Sequence, residues 1–295
     1  MALPAYTVRA VHCDHRAGDE EVYRALRRAT APLARAWERL KGARRIAIKF
    51  NQAYRPEELR VHEGHLQELV SESVARATLR LLREETRAEI LCAEISVFKR
   101  PEDPGPEHTI TLLPLLREFG VGFLDGDLPP HGVYPVPGGG AMFRQYLLPA
   151  EVMEADAVIS VQKLKSHAFA GVTLCLKNLF GLTPREPHGR TRRYFHHFIR
   201  LPYVLADLGR LMQPTLNIVD GLVGQTGREW HGEARVGDCL VAGDHVVATD
   251  ACAASLMGHD PAADWPALPF RRDRNALRVA AEGGFGSTDL GAIDF

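Results

Sequence analysis

The amino-acid sequence predicts an α/β protein with a Rossmann-like, mostly parallel sheet and helices on both faces of that sheet. Short apolar runs of β type alternate with stretches of helical period from one end of the chain to the other. The helical stretches between strands are about ten residues or longer, which is the spacing that βαβ units require. Apolar residues make up 45% and charged residues 25% of the 295 positions, an ordinary globular composition. We therefore predict one α/β domain over residues 1–295, and a small extra lobe from the middle of the chain is left open.

Strands and helices are predicted in alternation through the first half of the chain. The long helical pattern from Asp19 to Leu40 contains Pro32, which removes a helix hydrogen bond and so kinks or divides the helix. A second helix fits Glu63 to Arg83, where apolar residues recur at helical spacing. The remaining predicted elements are the strands Tyr6 to Val11, Arg45 to Phe50, Ala88 to Ile95 and Val121 to Asp125, and a short helix near Leu112 to Phe119.

A segment rich in proline and glycine, Asp125 to Gly140, separates the two halves and is predicted to be a loop. Val246 to Met257 is predicted as a helix that ends at Gly258, because glycine favours the helix end, and Pro261 follows it. The other predicted elements of the second half are the strands Ala157 to Val161, Leu216 to Val219 and Cys239 to Ala242, and the helices Gly171 to Phe180 and Tyr194 to Met212.

Charge and cysteine usage exclude several classes of protein. The 36 basic and 37 acidic residues give a net charge of −1, so we expect no nucleic-acid partner. Five scattered cysteines without a C-x-x-C pair predict free thiols in a reducing compartment, and no iron–sulfur cluster held within one chain. The N-terminus lacks the pattern of a signal peptide, and no apolar run reaches the ~20 residues of a membrane span. We therefore expect a cytoplasmic protein without a membrane partner.

Polar side chains occur where α/β proteins bind ligands, at or just beyond the carboxyl ends of predicted strands. The fold would bring them toward one rim of the sheet, although an isolated polar residue after a strand is also typical of a surface loop. Lysines at this rim would bind negative charge, and a histidine there is expected to titrate near neutrality and transfer protons. The residues are Lys49, Asn51, Glu94, Lys163, Lys165, His167 and Asp220.

The stretch from Lys163 to Gly181 carries the strongest functional signal. Its predicted helix is apolar on almost every side, with Thr173, Lys177 and Gly181 four residues apart on one narrow stripe. A buried lysine requires a partner or a shifted pKa, so Lys177 and the adjacent Asn178 are predicted to face a ligand. The alternative is that the Lys177 side chain extends to water between its neighbours.

Three acidic residues, Glu94, Asp220 and Asp250, are candidate ligands of a divalent metal, or partners that orient the lysines. Asp250 lies early in a predicted helix, where a carboxylate also stabilises the helix dipole. The one locally basic stretch, residues 185–197, either closes over an anionic ligand or remains a solvated loop, and the sequence leaves both open.

At KLKSHAFAGVTLCLKNLFGL the chain resembles the domain of unknown function 362 family. The pattern of that family is a lysine–leucine–lysine–threonine–histidine run that leads into a leucine–lysine–asparagine–leucine–phenylalanine–glycine helix; Ser166 replaces the threonine here. The similarity continues through IAIKFN, LNIVDGLVGQTG, GDHVVATD and AEGGFGSTDLGAIDF, and so spans nearly the whole chain. Members often carry ferredoxin-like cysteine clusters, which implies a redox role or a ferredoxin-like partner; this chain has no such cluster.

The segment DAVISVQKLKSHAFAGVTLCLK is also similar, more remotely, to the N-terminal domain of nickel-dependent lactate racemase. In that family the lysine ten residues after a histidine anchors a nickel-pincer nucleotide, and the histidine is an acid–base residue. The resemblance implies these roles for Lys177 and His167, which have the same separation. The further nickel-binding histidine of that family has no counterpart at a matching offset.

The leading hypothesis is an enzyme that moves a proton on a small anionic substrate, as an isomerase or racemase does, with a divalent metal left open. His167 and Lys177 would be catalytic, and the substrate-binding residues would be Lys49, Asn51, Lys163, Lys165 and Asn178. The alternatives are a non-catalytic binding protein for a metal or an iron–sulfur partner, and a ferredoxin-linked redox protein. A homodimer is left open.

Overall fold

The computed structural model describes residues 6–96, 98–103, 105–186 and 194–295. Within them the strands are β1 (Tyr6–His12), β2 (Arg45–Phe50), β3 (Val61–His62), β4 (His65–Leu66), β5 (Glu89–Glu94), β6 (Gly122–Asp125), β7 (His131–Pro135), β8 (Gln145–Pro149), β9 (Ala157–His167), β10 (Gly171–Thr173), β11 (Leu216–Thr226), β12 (Glu233–Gly243) and β13 (Ile293–Asp294). The α-helices are α1 (Asp19–Thr30), α2 (Ala34–Gly42), α3 (Glu72–Glu85), α4 (Leu113–Glu118), α5 (Ala150–Met153), α6 (Cys175–Leu179), α7 (Leu201–Met212), α8 (Val246–Leu256) and α9 (Ala276–Glu282).

The main sheet orders its strands β13-β1-β12-β11-β9-β2-β5-β6, and β10 pairs with the end of β9. Parallel pairing joins β11 to β9, β9 to β2, β2 to β5 and β5 to β6. Strand β12 is antiparallel to both of its neighbours. The predicted α/β fold with a mostly parallel sheet is confirmed.

Successive side chains of β2 point to opposite faces of the sheet, as a strand requires. Ile46 and Ile48 belong to a buried cluster that also contains apolar residues of α1, α2, α3 and α4. Ala47 belongs to a second cluster, to which α6, α7, α8 and α9 contribute. Helices therefore cover both faces, and the carboxyl ends of the parallel strands remain as the rim on which a site can form.

The helix predicted from Glu63 begins only at Glu72, so the first part of that prediction is wrong. Glu63 and Gly64 have positive φ angles of 47° and 82° and form the turn between β3 and β4. The chain then continues through bends and irregular backbone to Ser71, which is extended and precedes the helix. This segment, residues 67–71, crosses the rim of the sheet and contacts two lysines of β9.

The helix predicted from Gly171 to Phe180 is also wrong over its first half. Residues 171–173 form β10, which lies antiparallel to β9 with Gly171 opposite His167. Gly171 has a φ of +77°, and a Cβ there would lie 2.6 Å from the Phe270 ring, so only glycine fits this turn. The stripe of Thr173, Lys177 and Gly181 therefore does not lie on one helix.

Other boundaries move for local reasons. Pro32 divides the first helix, as predicted, because α1 ends at Thr30 and α2 begins at Ala34. The segment Asp125 to Gly140 is not entirely loop: it contains β7, which pairs with β8 in a separate two-stranded sheet. The helix predicted from Tyr194 begins as α7 at Leu201, after a π-helical turn at Tyr194–Phe198.

Three strands of the second half, β9, β11 and β12, are each longer than the sequence predicts. As a result Lys163, Lys165 and His167 lie on β9 itself and not on the loop that was predicted to follow it. No helix in the described part of the chain is long and apolar enough to cross a membrane.

Candidate active site

The carboxyl ends of β2, β5 and β9 meet at a cavity of about 420 Å³, which we call the central cavity. Polar, charged and aromatic side chains share its wall, as expected for a small-molecule site. Seven of the residues predicted to be catalytic, substrate-binding or metal-binding line it: Lys49, Asn51, Glu94, Lys165, His167, Lys177 and Asn178. Lys163, Asp220 and Asp250 are not among its lining residues.

Lys49 and Glu94 form a buried ion pair at the carboxyl ends of β2 and β5. Lys49 Nζ donates to Glu94 Oε2 at 2.6 Å, to the Phe50 carbonyl at 2.8 Å and to Asn178 Oδ1 at 3.1 Å. These three bonds use all the donors of an ammonium group. A Cβ at Gly181 would lie 2.6 Å from Lys49 Cε, so a residue without a side chain is needed beside the pair. Lys49 is therefore a fixed part of the wall, with its charge compensated by Glu94.

The two asparagines differ in how their side chains are used. Asn178 Nδ2 donates to the Lys49 carbonyl at 2.9 Å and to Ser160 Oγ at 3.0 Å, while its oxygen accepts from Lys49. Asn178 thus holds α6 against β2 and β9. Asn51 Oδ1 is buried and has no hydrogen-bond partner among the described atoms. A buried acceptor without a partner lowers stability, so Asn51 Oδ1 is suited to accept a hydrogen bond from an O–H or N–H group of a ligand.

Lys163 and Asp220 form a second buried ion pair, away from the central cavity. Lys163 Nζ donates to Asp220 Oδ2 at 2.8 Å and to Ser71 Oγ at 3.0 Å. Asp220 also accepts from the Ser71 backbone N–H at 2.7 Å. Burial lowers the pKa of Lys163, and the nearby carboxylate opposes that change. This pair ties the segment before α3 to β9 and β11.

Asp250 holds the N-terminus of α6. Its two carboxylate oxygens accept from the backbone N–H groups of Cys175 at 2.9 Å and Leu176 at 2.7 Å. Burial raises the pKa of Asp250 to about 7, against the opposing effect of these two hydrogen bonds. Asp250 thus acts from α8 as a cap for a helix distant in sequence.

The three acidic residues predicted as metal ligands do not meet at one point. Glu94 is paired with Lys49, Asp220 with Lys163, and Asp250 with two backbone N–H groups. Within the described residues, the one group of three acidic or histidine side chains spaced for a cation is Asp14, His15 and Asp238. There, His15 Nδ1 lies 2.7 Å from Asp238 Oδ1, a hydrogen-bond distance.

His167 is held as a neutral imidazole. Its Nδ1 accepts from the backbone N–H groups of Phe169 at 3.0 Å and Ala170 at 3.2 Å, so its single proton is on Nε2. Burial lowers the pKa of His167 well below its usual value, and the charge of Lys177 lowers it further. The expectation that His167 titrates near neutrality is wrong, because the ring is desolvated and lies among cations.

Lys177 lines the same cavity from α6 and is partly exposed. Its Nζ lies 4.5 Å from the centre of the Phe180 ring. Thr173 and Gly181 line the cavity as well, although the three residues belong to a strand, a helix and a 3₁₀ turn. Lys177 thus lies beside a cavity, as predicted, although the prediction assumed a longer helix than the one observed.

Lys165 is almost completely buried and lies in the wall of the central cavity. Its Nζ donates to the Glu68 carbonyl at 2.6 Å and lies 4.4 Å from the centre of the Trp230 ring. Burial lowers the pKa of Lys165 to about 7, while the carboxylates of Glu68 and Glu229 oppose that shift. Both the neutral amine and the ammonium form are therefore accessible at physiological pH.

Sequence reasoning missed the wall contributed by the connection between β11 and β12. Glu229 and Trp230 line the cavity, and Trp230 stacks on Tyr54 with ring centres 3.8 Å apart. Glu229 Oε2 accepts from the Ala168 backbone N–H at 2.9 Å and lies 3.8 Å from His167 Nδ1. The sequence GREW has no periodicity, and the available signal was a tryptophan and a charged residue together in a connecting segment.

The basic segment 185–197 can be placed only at its ends, because residues 187–193 lie outside the described part of the chain. Arg185 pairs with Asp127. His196 lines the central cavity, with its ring parallel to that of His167 and 6.3 Å away. The two alternatives for this segment, closure over an anionic ligand and a solvated loop, therefore both stay open.

Comparison with known proteins identifies the family. The profile of the domain of unknown function DUF362 matches residues 46–255, which is more than half of the chain. This chain belongs to the DUF362 family. The match includes β2, β5, β9, α6 and β11, and therefore every strand that supports the central cavity.

Two individual proteins are also similar to this DUF362 chain. Thylakoid-associated protein sll1697 of Synechocystis sp. is 33% identical over 126 residues, which are 41% of this chain and 38% of that protein. The chain thus matches well under half the length of this relative. The lactate racemase apoprotein of Thermoanaerobacterium thermosaccharolyticum superposes with a TM-score of 0.44 at 15% identity, over 84% of this chain and 56% of that one.

Proposed function

We propose that this DUF362 protein is an enzyme that transfers a proton on a small carboxylate-bearing substrate held in the central cavity. The observation that carries the proposal is the state of His167: an imidazole fixed as the neutral Nε2–H form, in one cavity with the lysine Lys177 and the carboxylate Glu229. Proton transfer beside a carbonyl can use these three groups: the cation binds a carboxylate, the neutral donor stabilises the developing oxyanion, and the carboxylate acts as the base.

Each of these groups has a distinct role. The ammonium of Lys177 attracts the carboxylate of the substrate into the cavity. His167 donates its Nε2–H to the oxygen on which negative charge develops, as a neutral imidazole that never needs to become charged. Glu229 takes up the proton from carbon, and the unpartnered Asn51 oxygen accepts a hydrogen bond from the substrate.

A metal ion on His167 does not fit this arrangement. Both backbone N–H groups at Nδ1 keep that nitrogen as an acceptor, so Nε2 carries the proton and cannot donate a lone pair to a metal. Glu94, the predicted metal ligand in the cavity, is engaged by Lys49. Neither His167 nor Glu94 is therefore available as a metal ligand in this structure.

The test is exchange of carbon-bound hydrogen with solvent. The purified protein is incubated in D₂O with lactate, malate and pyruvate, and loss of the C–H signal is followed by NMR. We expect exchange in at least one of these acids, and loss of exchange in His167→Gln. Native mass spectrometry with elemental analysis runs in parallel, because a ligand retained without any exchange would instead indicate the alternative of a binding or carrier protein.

Localisation and partners stay predictions. We still expect the protein to be located in the cytoplasm, to bind a small anionic ligand and to have no nucleic-acid partner. The thylakoid association that the name of the Synechocystis relative states is said of that protein, and it makes fractionation of cells a useful first experiment. A homodimer and a ferredoxin-like partner are proposals that size-exclusion chromatography and pull-down experiments would test.

A further inference from the structure

Three lysines of this protein, Lys49, Lys163 and Lys165, are almost completely buried, and they differ in how their charge is compensated. Lys49 is paired with Glu94 at 2.6 Å and Lys163 with Asp220 at 2.8 Å. No carboxylate in the described part of the chain lies within ion-pair distance of Lys165. A buried ammonium that no carboxylate contacts directly is disfavoured, so burial favours the neutral amine at Lys165.

The surroundings of Lys165 leave the amine oriented and reactive. One N–H donates to the Glu68 carbonyl at 2.6 Å, which fixes the position of the nitrogen. The Trp230 ring beside it excludes water, and the stacked Tyr54 supports that ring. A neutral amine that keeps one N–H bonded has its lone pair available to a molecule in the central cavity. A lysine that is desolvated in this way is the form that attacks carbonyl carbon.

We propose that Lys165 is a nucleophile that forms a Schiff base with a small 2-oxo acid bound in the central cavity. The inference rests on the proposed function and names its substrate class. The carboxylate of a 2-oxo acid would pair with the ammonium of Lys177. Its carbonyl oxygen would accept the Nε2–H of His167 while Lys165 attacks the carbonyl carbon, before that oxygen leaves as water. An iminium group makes the adjacent C–H bond more acidic, which is the bond from which Glu229 is proposed to take a proton.

The covalent step balances without any further reagent. The lone pair of Lys165 Nζ forms a bond to the carbonyl carbon, and the carbonyl oxygen takes up a proton to become the hydroxyl of a carbinolamine. One proton leaves the nitrogen, the C–O bond breaks, and the hydroxyl departs with a proton as water. Because the nitrogen keeps its second N–H, the product is an iminium, and the overall step takes up one proton from solvent and releases one water. Hydrolysis by the reverse path restores the free lysine and the carbonyl compound.

The experiment is reductive trapping with site localisation. The full chain is incubated at pH 7 with pyruvate or glyoxylate and cyanoborohydride, digested, and analysed by peptide mass spectrometry. We expect the reduced adduct on Lys165, with Lys49 and Lys163 unmodified as buried, ion-paired controls within the same molecule. Acetaldehyde, which lacks the carboxylate, should label Lys165 at least tenfold less, because it cannot make the charge-assisted contact with Lys177. Adducts spread over surface lysines, or confined to Lys177, would overturn the proposal.

A second measurement separates this inference from the proposed function. Lys165→Met retains most of the apolar stem and removes the nucleophile, so the variant should fold and give no adduct in the cavity. If deuterium exchange persists at the wild-type rate in Lys165→Met, proton transfer stands and the Schiff base is refuted. If wild type forms the Lys165 adduct but catalyses no exchange, the Schiff base stands and the proton-transfer assignment fails.

Discussion

Lys49 Nζ and Glu94 Oε2 lie 2.6 Å apart, with side chains only 3% and 5% exposed, and join the ends of β2 and β5 beneath the cavity. Removing one member leaves a buried charge without a partner, so we expect Glu94→Gln to lower the free energy of unfolding by ~3–5 kcal/mol. The double variant Lys49→Met/Glu94→Leu should lose less than Glu94→Gln, because no charge is left uncompensated. Urea denaturation followed by circular dichroism measures both, and equal losses would contradict the ion pair.

Lys177→Met should weaken anion binding and leave the fold intact. The substitution keeps the apolar stem and removes a charge-assisted contact, so the Kd for a small carboxylate should rise about tenfold or more. Titration calorimetry with pyruvate checks this. Lys41→Met is the matched control, because that lysine pairs with Glu85 at 2.8 Å and is 53% exposed. Equal effects of the two substitutions would show that only overall charge matters.

His167→Gln should reduce exchange more than binding. Loss of a positioned proton donor costs about 100-fold in rate, whereas the glutamine amide can still donate a hydrogen bond in the ground state. We expect the exchange rate to fall about 100-fold and the Kd to change less than threefold. Because the pKa of His167 lies well below its usual value, we expect His167 to stay neutral near pH 6–7. The exchange rate of the wild type should therefore show no fall near pH 6–7 from protonation of this histidine.

The stability of the protein should depend on the pH through Lys165. Its pKa is lowered from 10.5 to about 7 in the folded state, so between these values the unfolded chain binds one proton more than the folded chain. The free energy of unfolding therefore contains a contribution that rises with pH across this window. In Lys165→Met that rise should disappear. Urea midpoints of the wild type and the variant at pH 7 and 10 measure this rise in stability. If the midpoints of both proteins change equally with pH, Lys165 does not cause the rise.

Asp250→Ala tests a structural role against metal ligation. The change leaves the N–H groups of Cys175 and Leu176 buried without their acceptor, so stability should fall by ~2–5 kcal/mol. The metal content by elemental analysis should equal that of wild type. A specific loss of bound metal with unchanged stability would restore Asp250 as a ligand.

The sequence predicts which side chains lie at the rim of the sheet, but it does not predict which side chains contact one another there. Lys49, Glu94 and Lys165 could be placed because strand periodicity and the parallel order define where the carboxyl ends lie. Which lysine meets which carboxylate could not be derived, since each pair joins segments distant in sequence. Lys163 and Lys165 are two residues apart on one strand. Lys163 forms an ion pair with Asp220, whereas Lys165 donates to the backbone carbonyl of Glu68.

Local backbone geometry accounts for the wrong helix boundaries. Gly171 and Gly64 lie in turns with positive φ that interrupt regular apolar spacing, and periodicity alone cannot register such a turn. Glu229 and Trp230 were missed for the opposite reason: a connecting segment has no period to read. Their position depends on the register of β11 against β12, which is set by pairing across the sheet.

The bond between Asp250 and the start of α6 spans 75 residues of sequence. During synthesis from the N-terminus, Cys175 emerges long before Asp250, so α6 lacks its cap until α8 has left the ribosome. Lys177 and Asn178 lie on this helix of five residues, which is too short to be stable by itself. The rim of the sheet can therefore form early while the cavity is completed only when the C-terminal part of the chain docks. Nascent chains that end before Val246 should bind no ligand.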